Sequence, residues 1–222
     1  MASPGRNSRR LTAALLIAAT LASLPALAAD RWQEAMDRFA AMDRESPPAP
    51  GGVLFLGSSS IRLWDLDSWF PGRHLTNRGF GGSQIADSIR HFDTLVVPHA
   101  PSRIFFYAGD NDVAAGKSAD EVAADFGTFA RLVWESLPQT EIYFIAIKPS
   151  LARWGMWAEM KAANAAIARA AAGETRLHFV DVASPGLGRD GKPRQEIFVD
   201  DGLHLNEAGY RMWTEIVTPL LP

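Results

Sequence analysis

Val53-Leu54-Phe55-Leu56-Gly57-Ser58-Ser59-Ser60 governs the reading of this chain: four apolar residues, a glycine, three serines, then a helical pattern from Ile61. A short apolar run closed by turn formers predicts a buried strand, and the serines after it fall on a tight strand-to-helix turn. The pattern recurs at His74 to Asn77, Ile104 to Tyr107, Ile142 to Ile147 and Leu177 to Val182, each short and rich in β-branched or aromatic residues. Helical stretches separate these runs. Val122, Phe126, Phe129, Val133 and Leu137 follow three- and four-residue steps, and an alanine-rich stretch runs from about Met156 to Ala172. A last helix follows Asn206, an N-cap candidate, with Tyr210, Trp213 and Val217 on one side. Five strands alternating with helices predict an α/β fold with a parallel sheet covered on both faces. In such sheets ligands sit at the carboxyl ends of the strands, so the residues just after each apolar run carry the information.

Composition suits one such domain. At 222 residues, 47% hydrophobic and 21% charged, the chain is neither disordered, collagen-like nor a coiled coil. Without cysteine it has no disulfide framework, thiolate metal site or catalytic thiol. The formal charge of −3 and the lack of a long basic stretch argue against a nucleic-acid partner.

Residues 1–28 read as a signal peptide. Arg6, Arg9 and Arg10 form a positive n-region, Leu11 to Leu24 is apolar, and Ala26-Leu27-Ala28 supplies an A-x-A cleavage site. Ser8-Arg9-Arg10 leaves the export route open between the general and twin-arginine pathways. Cleavage removes three arginines and no acid, so the mature chain is expected to be acidic, periplasmic or secreted, and without stable membrane insertion. Residues 29–52 form an N-terminal helix, with Trp32, Met36, Phe39 and Ala40 at helical spacing, and a Pro/Gly-rich lead-in from Ser46 to Gly52. The domain proper spans 53–222.

Four stations stand at strand ends. A serine in Gly57-Ser58-Ser59-Ser60 is presented outward beside a helix N-terminus, a place for a nucleophile or for a helix cap. Asn77-Arg78-Gly79-Phe80-Gly81-Gly82-Ser83 allows close approach of backbone N–H groups to a ligand, but Gln84 breaks a dinucleotide fingerprint. In Ala108-Gly109-Asp110-Asn111-Asp112 the Asn111 amide can donate to a developing oxyanion. The following Gly116-Lys117-Ser118 ends like a phosphate loop, yet Asn111 occupies the place of that loop's first glycine. Asp110 and Asp112 have no histidine or third acid at ligand spacing, so no metal is expected. Finally, in Asp200-Asp201-Gly202-Leu203-His204 the Asp201 carboxylate can hold the His204 Nδ1–H and leave Nε2 as base. His74, His91, His99 and His178 lack an acid at comparable spacing and read as structural.

Taken in order, these stations resemble the SGNH (GDSL) hydrolase family, over almost the whole of the domain. In the first block Gly57-Ser58-Ser59 stands where the family has Gly-Asp-Ser, so Ser59 takes the nucleophile's place. Ser58 replaces the aspartate, which leaves Ser58 and Ser60 as alternatives. Gly82 matches the second block, Gly109-Asp110-Asn111-Asp112 the G-x-N-D block, and Asp201 with His204 the D-x-x-H block. The resemblance implies a flavodoxin-like three-layer α/β/α sandwich with a five-stranded parallel sheet in order 2-1-3-4-5. It implies a catalytic set of Ser59, His204 and Asp201, and an oxyanion hole made by the N–H groups of Ser59 and Gly82 with the Asn111 amide. No cofactor is implied.

No long insertion between the fourth strand and the C-terminal motif could form an interfacial lid. The expected function is therefore that of an exported serine esterase acting on small, acetyl-type esters, including esters on carbohydrate, through an acyl-enzyme. A lysophospholipase or thioesterase-like acylhydrolase shares the same catalytic set, and a non-catalytic binding protein on this scaffold is the reading of another class. Trp154 and Trp157 could line an acyl or sugar pocket or pack in the core. Lys148 and Arg153 could meet a charged substrate or solvent. The sequence leaves oligomeric state and acyl-chain preference open.

Overall fold

The apolar runs form five strands, β1 (Val53–Gly57), β2 (Leu75–Gly79), β3 (Arg103–Tyr107), β4 (Glu141–Ile145) and β5 (Leu177–Val180). All pair in parallel, in the order β2-β1-β3-β4-β5. The computed structural model describes Met1 and residues 30–222, so the signal-peptide and cleavage readings lie outside the described residues. The helices are α1 (Gln33–Glu45), α2 (Ser59–Arg62), α3 (Leu66–Trp69), α4 (Ile85–Arg90), α5 (Phe92–Leu95), α6 (Asp110–Ala114), α7 (Ala119–Ser136), α8 (Trp157–Ala171) and α9 (Glu207–Val217).

The alternation of side chains along the strands makes the three layers. Leu54, Leu56, Ile104, Phe106, Ile142 and Phe144 face one core, shared with α1, α4, α7 and α8. Their neighbours Val53, Phe55, Phe105, Tyr107, Tyr143 and Ile145 face the other, shared with α2, α3 and α9. With both faces covered, β1 is buried at every position, which is why it reads as a continuous apolar run instead of alternating. The stripe on α7 is buried at Val122, Phe126, Phe129 and Val133. That helix starts at a reciprocal cap, in which Ser118 Oγ accepts from the Glu121 N–H and the Glu121 carboxylate accepts from the Ser118 N–H. Asn206 caps α9 by accepting from the Gly209 N–H at 3.1 Å.

Four strand ends differ from the sequence reading: β1 and β2 run on to Gly57 and Gly79, past Leu56 and Asn77, whereas β4 and β5 stop short of Ile147 and Val182. Pairing of β4 with β5 stops at Ile145 opposite Val180. Beyond it the Asn164 amide on α8 takes over both backbone groups of Ile147, accepting from its N–H and donating to its carbonyl, each at 2.8 Å. Asp181 ends β5 by accepting from the Ala183 and Ser184 N–H groups at 3.0 and 2.9 Å. The lead-in helix is part of the fold, since Met36 and Phe39 of α1 are buried in the first core.

Candidate active site

The exit of β1 is built around a glycine with no room for a side chain. Gly57 has φ +137°, and a Cβ there would stand 1.9 Å from the Tyr107 carbonyl oxygen on β3. The next residue, Ser58, donates its N–H to that same oxygen at 2.9 Å. The chain then turns at once into α2, of which Ser59 is the first residue. Ser58 and Ser60 are buried, while Ser59 is half-buried and lines a hollow. The Tyr210 hydroxyl of α9 donates to the Ser60 carbonyl at 2.9 Å, tying the serine turn to the element that follows His204.

His204 comes from the opposite end of the sequence. Its Nε2 lies 3.0 Å from Ser59 Oγ and its Nδ1 2.6 Å from Asp201 Oδ2. Asp201 Oδ1 accepts from the Leu203 and His204 backbone N–H groups at 2.8 and 2.9 Å. Three hydrogen bonds thus reach the carboxylate and hold its carboxyl at about 2, with the imidazole bond the largest cause. A fixed carboxylate on Nδ1 selects the tautomer that leaves Nε2 free to accept the Ser59 proton. Of the three consecutive serines, Ser59 is the one that meets the imidazole. Asp200 takes no part in these bonds.

Gly82 has φ +77° and lines the same hollow as Ser59 and His204. Asn111 stands beside it: its Nδ2 donates to the Ser83 carbonyl at 2.9 Å, which leaves one amide proton uncommitted. Its Oδ1 accepts from Arg153 Nη2 at 2.9 Å, and Arg153 Nη1 lies 3.0 Å from Asp110 Oδ2. The Lys148 ammonium, 3.7 Å from the same carboxylate, donates to the Tyr107 hydroxyl at 3.1 Å. Burial pushes the Lys148 ammonium down and the Tyr107 hydroxyl well up. Lys148 and Arg153 therefore have protein partners, and Arg153 fixes which way the Asn111 amide faces.

The second acid of G-x-N-D has a structural task. Asp112 accepts from the Ile85 N–H at 3.2 Å and from Lys117 at 2.9 Å, which joins the glycine turn to α6. Lys117 also reaches Asp125 at 2.7 Å, and Ser118 caps α7, so the phosphate-loop likeness of Gly116-Lys117-Ser118 is accounted for by internal bonds. Burial raises the Asp112 carboxyl despite Lys117. Among the described residues no three histidine, aspartate or glutamate side chains gather as a metal-ligand group.

The hollow beside Ser59 has a volume of about 420 Å³, and Trp32, Arg38, Arg62 and Phe80 line it with Gly82 and His204. Trp32 meets Phe80 edge-on at 5.4 Å. These four side chains were not read as site residues in the sequence, because two lie on or before the lead-in helix. Trp154 and Trp157 stack on each other at 6.3 Å away from this hollow, and Trp157 packs against both cores. Two structural histidines do have acids nearby from distant elements, His99 with Asp43 at 3.6 Å and His178 with Glu141 at 3.5 Å.

A parallel α/β/α sandwich with a serine, a histidine and an aspartate joined at its carboxyl edge belongs to the class of ester and acyl hydrolases. The chain is a member of the GDSL-like lipase/acylhydrolase family, whose model matches residues 62–212, more than half of its length. Among solved structures, it is similar to a Streptococcus pneumonia protein provisionally described as a platelet activating factor, at 22% identity and a TM-score of 0.77, over 86% of this chain and 92% of that one. A GDSL-like lipase from Bacteroides thetaiotaomicron matches at 19% identity and a TM-score of 0.70, over 83% and 96%. A catalytic mutant of an acetylxylan esterase from Geobacillus stearothermophilus matches at 16% identity and 0.60, over 78% and 95%. At these identities the likeness speaks to the fold. A comparison with curated proteins found no match.

Proposed function

We propose that the protein is an exported serine esterase that removes small, acetyl-type acyl groups, including those carried on carbohydrate. The observation that carries this reading is the continuous chain from Asp201 through His204 to Ser59 Oγ, at 2.6 and 3.0 Å. His204 takes the Ser59 proton as Oγ bonds to the ester carbonyl carbon. The tetrahedral oxyanion accepts from the N–H groups of Ser59 and Gly82 and from the free proton of the Asn111 amide. As it collapses, the C–O bond to the alcohol breaks and His204 returns the proton to the leaving oxygen. Water, deprotonated by the same imidazole, then releases the acid and restores Ser59. The likeness to an acetylxylan esterase fold and the absence of a long lid-like insertion before the Asp201 motif support a small acyl group on a polar alcohol. Among the described residues no helix is long and apolar enough to cross a membrane, and the basic, apolar and A-x-A pattern of residues 1–28 supports export.

Activity on acetylated xylan fragments, set against lysophospholipid on one preparation, tests the substrate class, and the acetylated sugar is the expected substrate. Asn111→Ala is expected to lower kcat by about a hundred- to a thousandfold, the effect of one lost oxyanion donor. KM should change little, because the bond forms to the oxyanion and not to the ground-state carbonyl. The Asp201 carboxyl, held at about 2, is ionised throughout the working range, so it adds no titration step to the rate between about pH 4 and pH 9. Asp201→Asn is expected to cut kcat by roughly a hundred- to ten-thousandfold in a full pH–rate profile.

A further inference from the structure

From the charges around the hollow we infer that the natural ester carries a carboxylate or phosphate on its alcohol half, bound by Arg38 and Arg62. This deepens the esterase reading and rests on it. Both arginines line the hollow that holds Ser59 and His204, and among the described residues no carboxylate lines it with them. Among the described residues neither arginine makes an ion pair or a side-chain hydrogen bond, although the chain as a whole is acidic. Six other arginines, Arg78, Arg103, Arg153, Arg176, Arg194 and Arg211, each have a carboxylate within 3.6 Å.

The unpaired guanidinium of Arg62 is also close to the reacting atoms' backbone cradle. A side chain at Gly81 would meet Arg62 Nε at 2.9 Å, and one at Gly82 would meet Arg31 Nη2 at 2.9 Å. Arg31 in turn lies 4.4 Å over the Trp32 ring. Positive charge therefore lines the glycine turn itself, where a planar guanidinium can take a carboxylate or phosphate through two parallel bonds.

The direction of the groove assigns this anion to the alcohol. Arg38 and Arg62 also line an adjoining trough of about 940 Å³, so the two arginines border both the Ser59 hollow and a larger space. An acetyl-sized acyl group cannot extend that far, whereas a sugar-sized alcohol can. Thr76 lines the trough with a hydroxyl group, and the trough's carboxylates, Asp43, Glu45, Asp65 and Asp67, are absent from the hollow. A ligand with its anion at the arginines and uncharged hydroxyls beyond fits this division; one with anions at both places does not.

The test is a set of matched esters on the full chain, with p-nitrophenyl acetate as the common reference and acetate release as the readout. An acetylated methyl glucuronide is compared with its neutral methyl ester, an acetylated glucose 6-phosphate with acetylated glucose, and p-nitrophenyl succinate with p-nitrophenyl butyrate. The wild type should prefer at least one anionic alcohol over its neutral partner by about tenfold or more in kcat/KM, the effect of charge-assisted hydrogen bonds. The first two pairs separate a carboxylate from a phosphate source. Arg38→Ala/Arg62→Ala should erase the preference, read as the ratio of kcat/KM for the anionic ester to that for its neutral partner within the one variant. Raising ionic strength from about 0.01 to 0.5 M should weaken it. If p-nitrophenyl acetate is hydrolysed with no preference for either anionic alcohol, or the double variant keeps the preference, the inference is overturned and the esterase reading stands. A preference confined to p-nitrophenyl succinate overturns the assignment to the alcohol half. If no ester is hydrolysed, the esterase reading itself fails and takes the inference with it.

Discussion

Ser59→Ala is expected to lower kcat on p-nitrophenyl acetate by about ten-thousandfold or more while leaving the circular dichroism spectrum and melting temperature essentially unchanged. The size follows from what the hydroxyl does. Ser59 Oγ is the atom that bonds to the acyl carbon, and among the described residues no other hydroxyl bonds His204 Nε2, which accepts from Ser59 at 3.0 Å. Ser58 and Ser60 flank it but are buried, so neither can substitute without unwinding the turn between β1 and α2. The loss should fall in kcat with little change in KM, because the hydroxyl contributes to bond making and not to holding the ester. The fold has no stake in this group: Ser59 is half-buried, and α2 is tied to the sheet by Ile61 and by the Tyr210 bond to the Ser60 carbonyl. A variant that melts like the wild type and turns over esters at the wild-type rate shows that Ser59 is not the nucleophile.

Gly57→Ala is the second large effect, and it is one of stability. Alanine at φ +137° is strained, and its Cβ would stand 1.9 Å from the Tyr107 carbonyl oxygen, deep inside the van der Waals contact distance. That oxygen is a backbone atom of β3, the strand paired with β1 at the centre of the sheet, and it also receives the Ser58 N–H. Relief requires β1 and β3 to part at their last paired residues, Gly57 and Tyr107. A cost of about 4 kcal/mol or more is expected, a large share of the 5–15 kcal/mol that holds most domains folded. In a thermal melt this is a fall of roughly 10 °C or more, or a failure to accumulate as soluble protein. Gly72→Ala is the control: φ is +78° but nothing lies within 4 Å of the new Cβ, so only the backbone strain of about 1–2 kcal/mol is expected. Equal losses from the two substitutions would show that the contact with Tyr107 is not what fixes Gly57.

The sheet and its order were legible because each strand is a short apolar run buried on both faces. The boundaries were less so. Nothing in Ile142 to Ile147 marks the point where Asn164, from a helix seventeen residues on, replaces β5 as the partner of the backbone. Asp201 and His204 were readable as a pair, since three residues on one turn already bring a carboxylate to an imidazole. Their link to Ser59 spans 145 residues and depends on the parallel topology that gathers strand exits at one edge.

What sequence could not supply is the surroundings of the site. Arg153 holds Asn111 across 42 residues, and no spacing rule connects them. Trp32, Arg38 and Arg62 meet because α1 packs over the first core and reaches the carboxyl edge of the sheet, a placement that amphipathic spacing alone does not give. Catalytic groups are confined to few residue types at strand ends, whereas groups that select a substrate come from any element that borders the groove. The reaction is therefore easier to read than the substrate, and the arginines had to be found in three dimensions.

The central claim is that Ser59 is an activated nucleophile, and labelling with a fluorophosphonate followed by peptide mapping measures this most directly. Phosphonylation replaces fluoride at phosphorus with the attacking oxygen and needs both the nucleophile and its base. One adduct per chain, on the peptide containing Ser59 and absent from Ser59→Ala and strongly slowed in His204→Ala, is the predicted result. An unlabelled Ser59 in folded protein, or an adduct on another residue that tracks ester turnover, would contradict the account.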